Sequence, residues 1–146
     1  MNVTDVDVRT LRLELASSVV NEDGITSVRV ILSDALTNDL LVSLSSCDSG
    51  EATILASPLV IMGGETEVTF TINGVLDAVA DGNQSVTLTA SAGPLADATA
   101  TLTVADVDSV NLAIDVDSIS IAENGSTTGT VSLSTASTQN IVVTLS

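Results

Sequence analysis

Val86-Thr87-Leu88-Thr89-Ala90 and Ala100-Thr101-Leu102-Thr103-Val104 decide the fold. In each stretch an apolar side chain alternates with a threonine. Successive side chains of an extended strand point to opposite faces, so this spacing places every apolar residue on one side. Residues such as Val and Thr suit a pleated, half-buried surface. Working outward, the alternation recurs in Leu11-Arg12-Leu13-Glu14-Leu15, in Val28-Arg29-Val30-Ile31-Leu32, at Leu40, Val42 and Leu44, and in Val68-Thr69-Phe70-Thr71-Ile72. The short run Leu59-Val60-Ile61-Met62 completes a set of seven predicted strands. Turn-forming residues separate them, as in Asn21-Glu22-Asp23-Gly24, Asp48-Ser49-Gly50, Gly63-Gly64, Asp81-Gly82-Asn83 and Gly93-Pro94. No long segment carries the helical period. The pattern predicts an all-β fold, a seven-stranded immunoglobulin-like antiparallel β-sandwich.

That unit is repeated. Displaced by 101 residues, positions 102–146 fall on positions 1–45 without a gap, and 17 of the 45 pairs are identical. Self-similarity at a fixed period marks tandem units. Residues 1–8 are then expected to be the tail or linker of a preceding repeat, and residues 9–108 a complete sandwich. Residues 109–146 are expected to form the first three strands of the next repeat, at Leu112–Val116, Thr127–Ser134 and Ile141–Ser146. Three strands leave an apolar face and strand edges open. The expectation is a segment of a longer array, or a partial repeat completed by strands of a neighbouring chain in a fibre.

Composition narrows the function. Nineteen Asp and Glu face three Arg, no Lys and no His, for a net charge of −16. Nucleic acids and anionic membranes are bound through Lys and Arg clusters, so neither is an expected partner. Apolar runs are too short for a membrane-spanning helix. No secretion signal opens the chain, and any such signal is expected elsewhere in a longer parent. Cys47 is alone, with no Lys or His to activate it, and reads as a small buried or half-buried apolar residue. Without His, Lys, Tyr or Trp, acid–base and nucleophilic chemistry has few candidates, so no enzyme is expected.

The acids are not spread evenly over the predicted strands. In an antiparallel sandwich the first, third and fifth connections and the tail of the last strand share one pole. That pole collects Glu22 and Asp23, Asp48 and Glu51, Asp77 and Asp81, then Asp106 and Asp108. The other pole holds only Asp34, Asp39, Glu65 and Asp97. Carboxylates gathered together raise one another's pKa and repel. A hard cation relieves this, and Ca²⁺ takes about six to eight oxygens from flexible loops. The lack of His and of a second Cys argues against zinc or copper. The alternative reading is that acids accumulate on loops simply because loops are solvated.

Four stretches carry a family resemblance. Val20-Asn21-Glu22-Asp23-Gly24, echoed by Ala122-Glu123-Asn124-Gly125, resembles the signature that opens Calx-β domains. Ser45-Ser46-Cys47-Asp48-Ser49-Gly50-Glu51-Ala52-Thr53 resembles the segment after their third strand. The stretch from Leu76 through Asp77, Asp81 and Gly82 to Leu88 resembles the block leading into their sixth strand. Val104-Ala105-Asp106-Val107-Asp108 resembles the acidic run that closes each unit. Such domains occur in tandem in large bacterial surface and adhesin-type proteins. The resemblance implies that Ca²⁺ is held by Glu22, Asp48, Asp77, Asp81, Asp106 and Asp108, with Glu51 and Glu123 in a second rank. Asn83 and Gln84 stand where the family often has acids, and Val107 interrupts the closing run, which implies fewer or weaker ions. The expected role is a calcium-stiffened extender repeat of an adhesin stalk or fibre, outside the cell or on its surface. Its partners would be adjacent repeats of the same type or neighbouring chains in a fibre, with no nucleic acid and no membrane insertion. A calcium-sensing or ligand-binding module is the other reading.

Overall fold

The computed structural model describes residues 8–146; residues 1–7, including Asp5 and Asp7 of the expected linker, lie outside the described part. The chain folds as two compact units. One is built from the described residues up to Leu76 together with Asn83–Ala105, the other from Asp77–Gly82 together with Asp106–Ser146.

The strands up to residue 105 are β1 (Leu11–Leu15), β2 (Val19–Asn21), β3 (Ile25–Leu32), β4 (Leu40–Ser46) and β5 (Ala52–Ile54), then β6 (Leu59–Ile61), β7 (Glu67–Gly74), β8 (Val79–Ala80), β9 (Gln84–Ser91) and β10 (Ala98–Ala105). All but β8 build the first unit as two sheets. One runs β1-β3-β7-β5 and is antiparallel throughout. The other runs β2-β10-β9-β4-β6 and is antiparallel except for the parallel pair β2–β10.

The alternation read from the sequence is what fills the space between the sheets. Val28, Val30 and Leu32 of β3 and Phe70 and Ile72 of β7 are buried, as are Val86, Leu88, Leu102 and Val104 of β9 and β10. Burying each such side chain is worth about 1.5–3 kcal/mol, so this interleaved face dominates the stability of the fold. The outward face is polar. There Arg29 of β3 bridges Glu14 of β1 and Glu67 of β7, while Arg12 also reaches Glu14. Hydrogen bonding and charge from Arg29 hold the Glu14 carboxyl below its ordinary pKa, and Glu14 in turn raises that of Arg29. These groups are exposed to solvent, so the ladder adds little stability.

All seven expected strands of the first repeat are present, and three short ones are added: β2, β5 and β8. The chain reaches β2 through a bend at Ser17. Its hydroxyl donates to the Val19 carbonyl at 2.6 Å and accepts the Val19 N–H at 3.2 Å. This local bond competes with strand pairing and lets the chain cross from one sheet to the other. Cys47 departs from expectation: it is exposed, and its Sγ accepts the Thr87 N–H at 3.2 Å.

The second unit holds the antiparallel hairpin of β11 (Leu112–Val116) and β12 (Gly129–Leu133). It also holds β13 (Ala136–Ser137), which pairs in parallel with β8. The expected second strand, Thr127–Ser134, is thus shorter at both ends. The expected third strand, Ile141–Ser146, is not a strand. Its counterpart β4 lies between β9 and β6, and among the described residues no strand offers it equivalent bonds. An extended segment without a partner cannot satisfy its backbone as a sheet does.

Candidate metal centre

Two groups of three carboxylates form where strands end. The first follows from the pairing of β2 with β10, which sets Asn21 beside Ala105. The Glu22 N–H then donates to the Ala105 carbonyl at 3.2 Å. Asp106 is the next residue after this anchored end. Glu22, Asp106 and Asp108 each offer one carboxylate oxygen, and the three oxygens lie within 4.8 Å of one another. Backbone donors fix Asp106: its Oδ1 accepts the Asp108 N–H and its Oδ2 the Gly82 N–H, both at 2.7 Å. Glu22 is only 2% exposed. The Oδ2 of Asp108 is buried and accepts no hydrogen bond.

Three loops converge beside Glu22. The Gly74 N–H donates to the Gly24 carbonyl and the Val75 N–H to the Glu51 carbonyl, both at 2.9 Å. The end of β7 passes so close to the first connection that a Cβ on Gly74 would stand 2.1 Å from the Asn21 carbonyl oxygen. Only glycine fits this approach. Here Glu51, Asp77 and Asp81 form the second group, again with oxygens within 4.8 Å. The Asp77 Oδ1 accepts the Val79 N–H at 2.8 Å, closing a side-chain turn. Ala78 within it is left-handed, with φ of 66°. A non-glycine residue in that region is strained and is held there by its surroundings.

Both groups offer oxygen donors only, the set preferred by a hard divalent cation over zinc or copper. An acidic cluster with a buried acceptor lacking a hydrogen bond costs free energy unless positive charge reaches it. The Asp108 Oδ2 is such an acceptor, so the first group fits a bound cation.

No protein-family model matches the chain, and no curated protein does. Solved structures do match. The apo form of the Calx CBD1 domain aligns with a TM-score of 0.51 at 18% identity, over 68% of this chain and 99% of that one. The calcium binding domain CBD12 of CALX1.1 aligns with a TM-score of 0.50 at 19% identity, over 71% of this chain and 50% of that one. The fold is Calx-β-like. At these identities the likeness is one of fold, and this chain spans half the length of the CBD12 structure.

On this Calx-β-like frame the residues singled out from the sequence separate into distinct sets. Glu22, Asp106 and Asp108 meet in the first group, and Asp77 and Asp81 meet in the second. Glu51, placed in the second rank, joins Asp77 and Asp81. Asp48 joins neither group. Its Oδ1 accepts the Gly50 N–H at 2.9 Å, closing the turn between β4 and β5. Glu123 is exposed and belongs to neither group. No sequence signal divides the acidic pole in two; the division comes from the loop bonds at Gly24, Glu51 and Gly82.

Proposed function

We propose that the chain is a calcium-binding extender repeat of a long extracellular or cell-surface protein, such as an adhesin stalk or fibre. It would be a non-enzymatic module whose partners are neighbouring repeats of its own type. One observation carries the reading: Glu22, Asp106 and Asp108 converge where β10 ends and the chain passes into the next repeat. Glu22 would supply a buried carboxylate from the sandwich. Asp106 and Asp108 would supply two more. Glu51, Asp77 and Asp81 would hold a second ion. Bound Ca²⁺ neutralises the gathered charge and stabilises the folded state by about 2.7 kcal/mol at a free concentration 100 times its Kd. Fold-level likeness to calcium-binding domains adds support from outside the chain.

The test is a calcium titration of the whole chain, with melting temperature and solution scattering followed together. Calcium is expected to raise the melting temperature and lengthen the particle, with D106N and D108N abolishing the lengthening and reducing the rise in melting temperature. If adding EDTA to calcium-loaded protein leaves both unchanged, the calcium reading fails. A large reorientation on binding, without lengthening, would favour a sensor over a spacer.

A second reading rests on its own observation. Leu112, Ile114, Val131 and Leu133 lie exposed on the second repeat, although their counterparts Leu11, Leu13, Val30 and Leu32 are buried. Strands of a neighbouring chain could cover that face in a fibre. Sedimentation at rising concentration tests this: assembly supports it, and a monomer at all concentrations excludes it.

A further inference from the structure

We propose that Ala35–Leu36 is the element by which this repeat docks onto a preceding repeat. It would use the parallel strand pair that here joins Ala136–Ser137 to Val79–Ala80. The inference rests on the chain being a repeat of an array, and it names the surface through which successive repeats engage.

The acceptor is β8. It belongs to the repeat of residues 9–108, yet it joins neither sheet of the sandwich. Its partner is β13 of the following repeat, with Ala136 opposite Val79 and Ser137 opposite Ala80. The loop presenting β8 is held on both sides. Asp77 Oδ1 takes the Val79 N–H, Ala78 is fixed left-handed, and the Gly82 N–H is tied to Asp106. A short strand held in this way offers its edge as a template for strand addition.

The donor is repeated. Positions 101 residues before Ala136–Ser137 are Ala35–Leu36, and the identical pairs Ser33/Ser134, Ala35/Ala136 and Thr37/Thr138 fall on this segment. Both copies leave their hairpins alike. The Ser33 N–H donates to the Thr10 carbonyl at 3.0 Å, and the Ser134 N–H to the Asn111 carbonyl at 2.9 Å. Ala35 is exposed and unpaired in any described strand. The Leu36 carbonyl is taken by the Gly64 N–H at 2.7 Å and its side chain packs against the core, so Ala35 is the exposed residue of the pair. Each repeat would then carry one donor and one acceptor at different places. A contact of this heterologous kind does not close on itself and propagates as an open string.

Grafting tests this in the whole chain. Thr135→Asp, Ser137→Leu and Gln139→Asn together place the sequence of residues 33–38 at positions 134–139. Amide hydrogen exchange at positions 79–80 and 136–137 reports the pairing, with β9 and β10 amides showing that the sandwich is intact. The Ala136→Pro variant removes a backbone donor and is expected to lower protection there by about tenfold or more, while the graft stays within about threefold of the parent. The proposal is overturned if the graft loses protection as Ala136→Pro does, or if Ala136→Pro changes nothing. Calcium titration of the parent chain separates the two ideas. Lost docking with intact calcium binding condemns the docking element alone, and absent calcium binding condemns the function proposed above.

Discussion

The hairpins β1/β3 and β11/β12 are the same object in two settings. Leu11 faces Leu32 as Leu112 faces Leu133, and Leu13 faces Val30 as Ile114 faces Val131. The Ala16 N–H bonds the Ser27 carbonyl at 2.9 Å, and the Asp117 N–H bonds the Thr128 carbonyl at 2.9 Å. Even the serine bend recurs, with Ser17 Oγ donating to Val19 and Ser118 Oγ to Ser120. Burial does not recur: Val30 is fully buried, whereas Val131 is 37% exposed. Hydrogen bonds within a hairpin are set by residues near in sequence. Burial is set by a facing sheet, and among the described residues the first hairpin has one and the second does not.

The largest test of this contrast is a pair of truncations. Leu32→Ala removes a side chain that is 2% exposed, while Leu133→Ala removes its counterpart at 41%. The first is expected to cost about 2–5 kcal/mol and the second no more than about 0.5 kcal/mol in urea unfolding. Equal costs would mean that the second hairpin is covered in solution.

Next in size is the cation. Chelation is expected to remove about 2.7 kcal/mol of stability when the ion stood at 100 times its Kd. Glu22→Gln should remove the first ion's share of this calcium-dependent increment, and Glu123→Gln, the same substitution one repeat later, should leave it intact. Thermal melts with and without calcium read both, and a loss with Glu123→Gln would place the ion elsewhere.

The smallest effect concerns the charge ladder. Glu14 and Arg29 face each other across β1 and β3, where the second hairpin has Asp115 facing Thr130. Because Arg29 lowers the pKa of folded Glu14, the ladder's contribution is complete above the ordinary carboxylate range. It is lost as pH falls through the lowered value. Glu14→Gln should therefore flatten the acid limb of stability against pH slightly. Denaturation midpoints of parent and variant across the acid range check this, and an unchanged acid limb would refute it.

The same contrast explains what could be read in advance. β3, β7, β9 and β10 were legible because their alternating apolar residues mirror a face that is in fact buried. Ile141–Ser146 shows the same alternation and forms no strand, since pattern supplies the face but not the neighbours. β2 carries no alternation to read because Val20 is its one buried residue, and its place depends on β10. The acidic pole followed from strand parity. The meeting of Glu51 with Asp77 and Asp81 did not, because it depends on loop contacts such as the Val75 N–H bond to the Glu51 carbonyl, which no spacing in the sequence shows.

The parallel pair β2–β10 has a mechanical consequence. β2 lies near the beginning of the sandwich and β10 is its last strand, and the two run in the same direction. Tension applied through the two ends of the sandwich pulls these neighbours past each other along their length. Their bonds, among them Thr103 N–H to the Ser18 carbonyl and Glu22 N–H to the Ala105 carbonyl, are then loaded together in shear. They do not open one by one, as at a zipper.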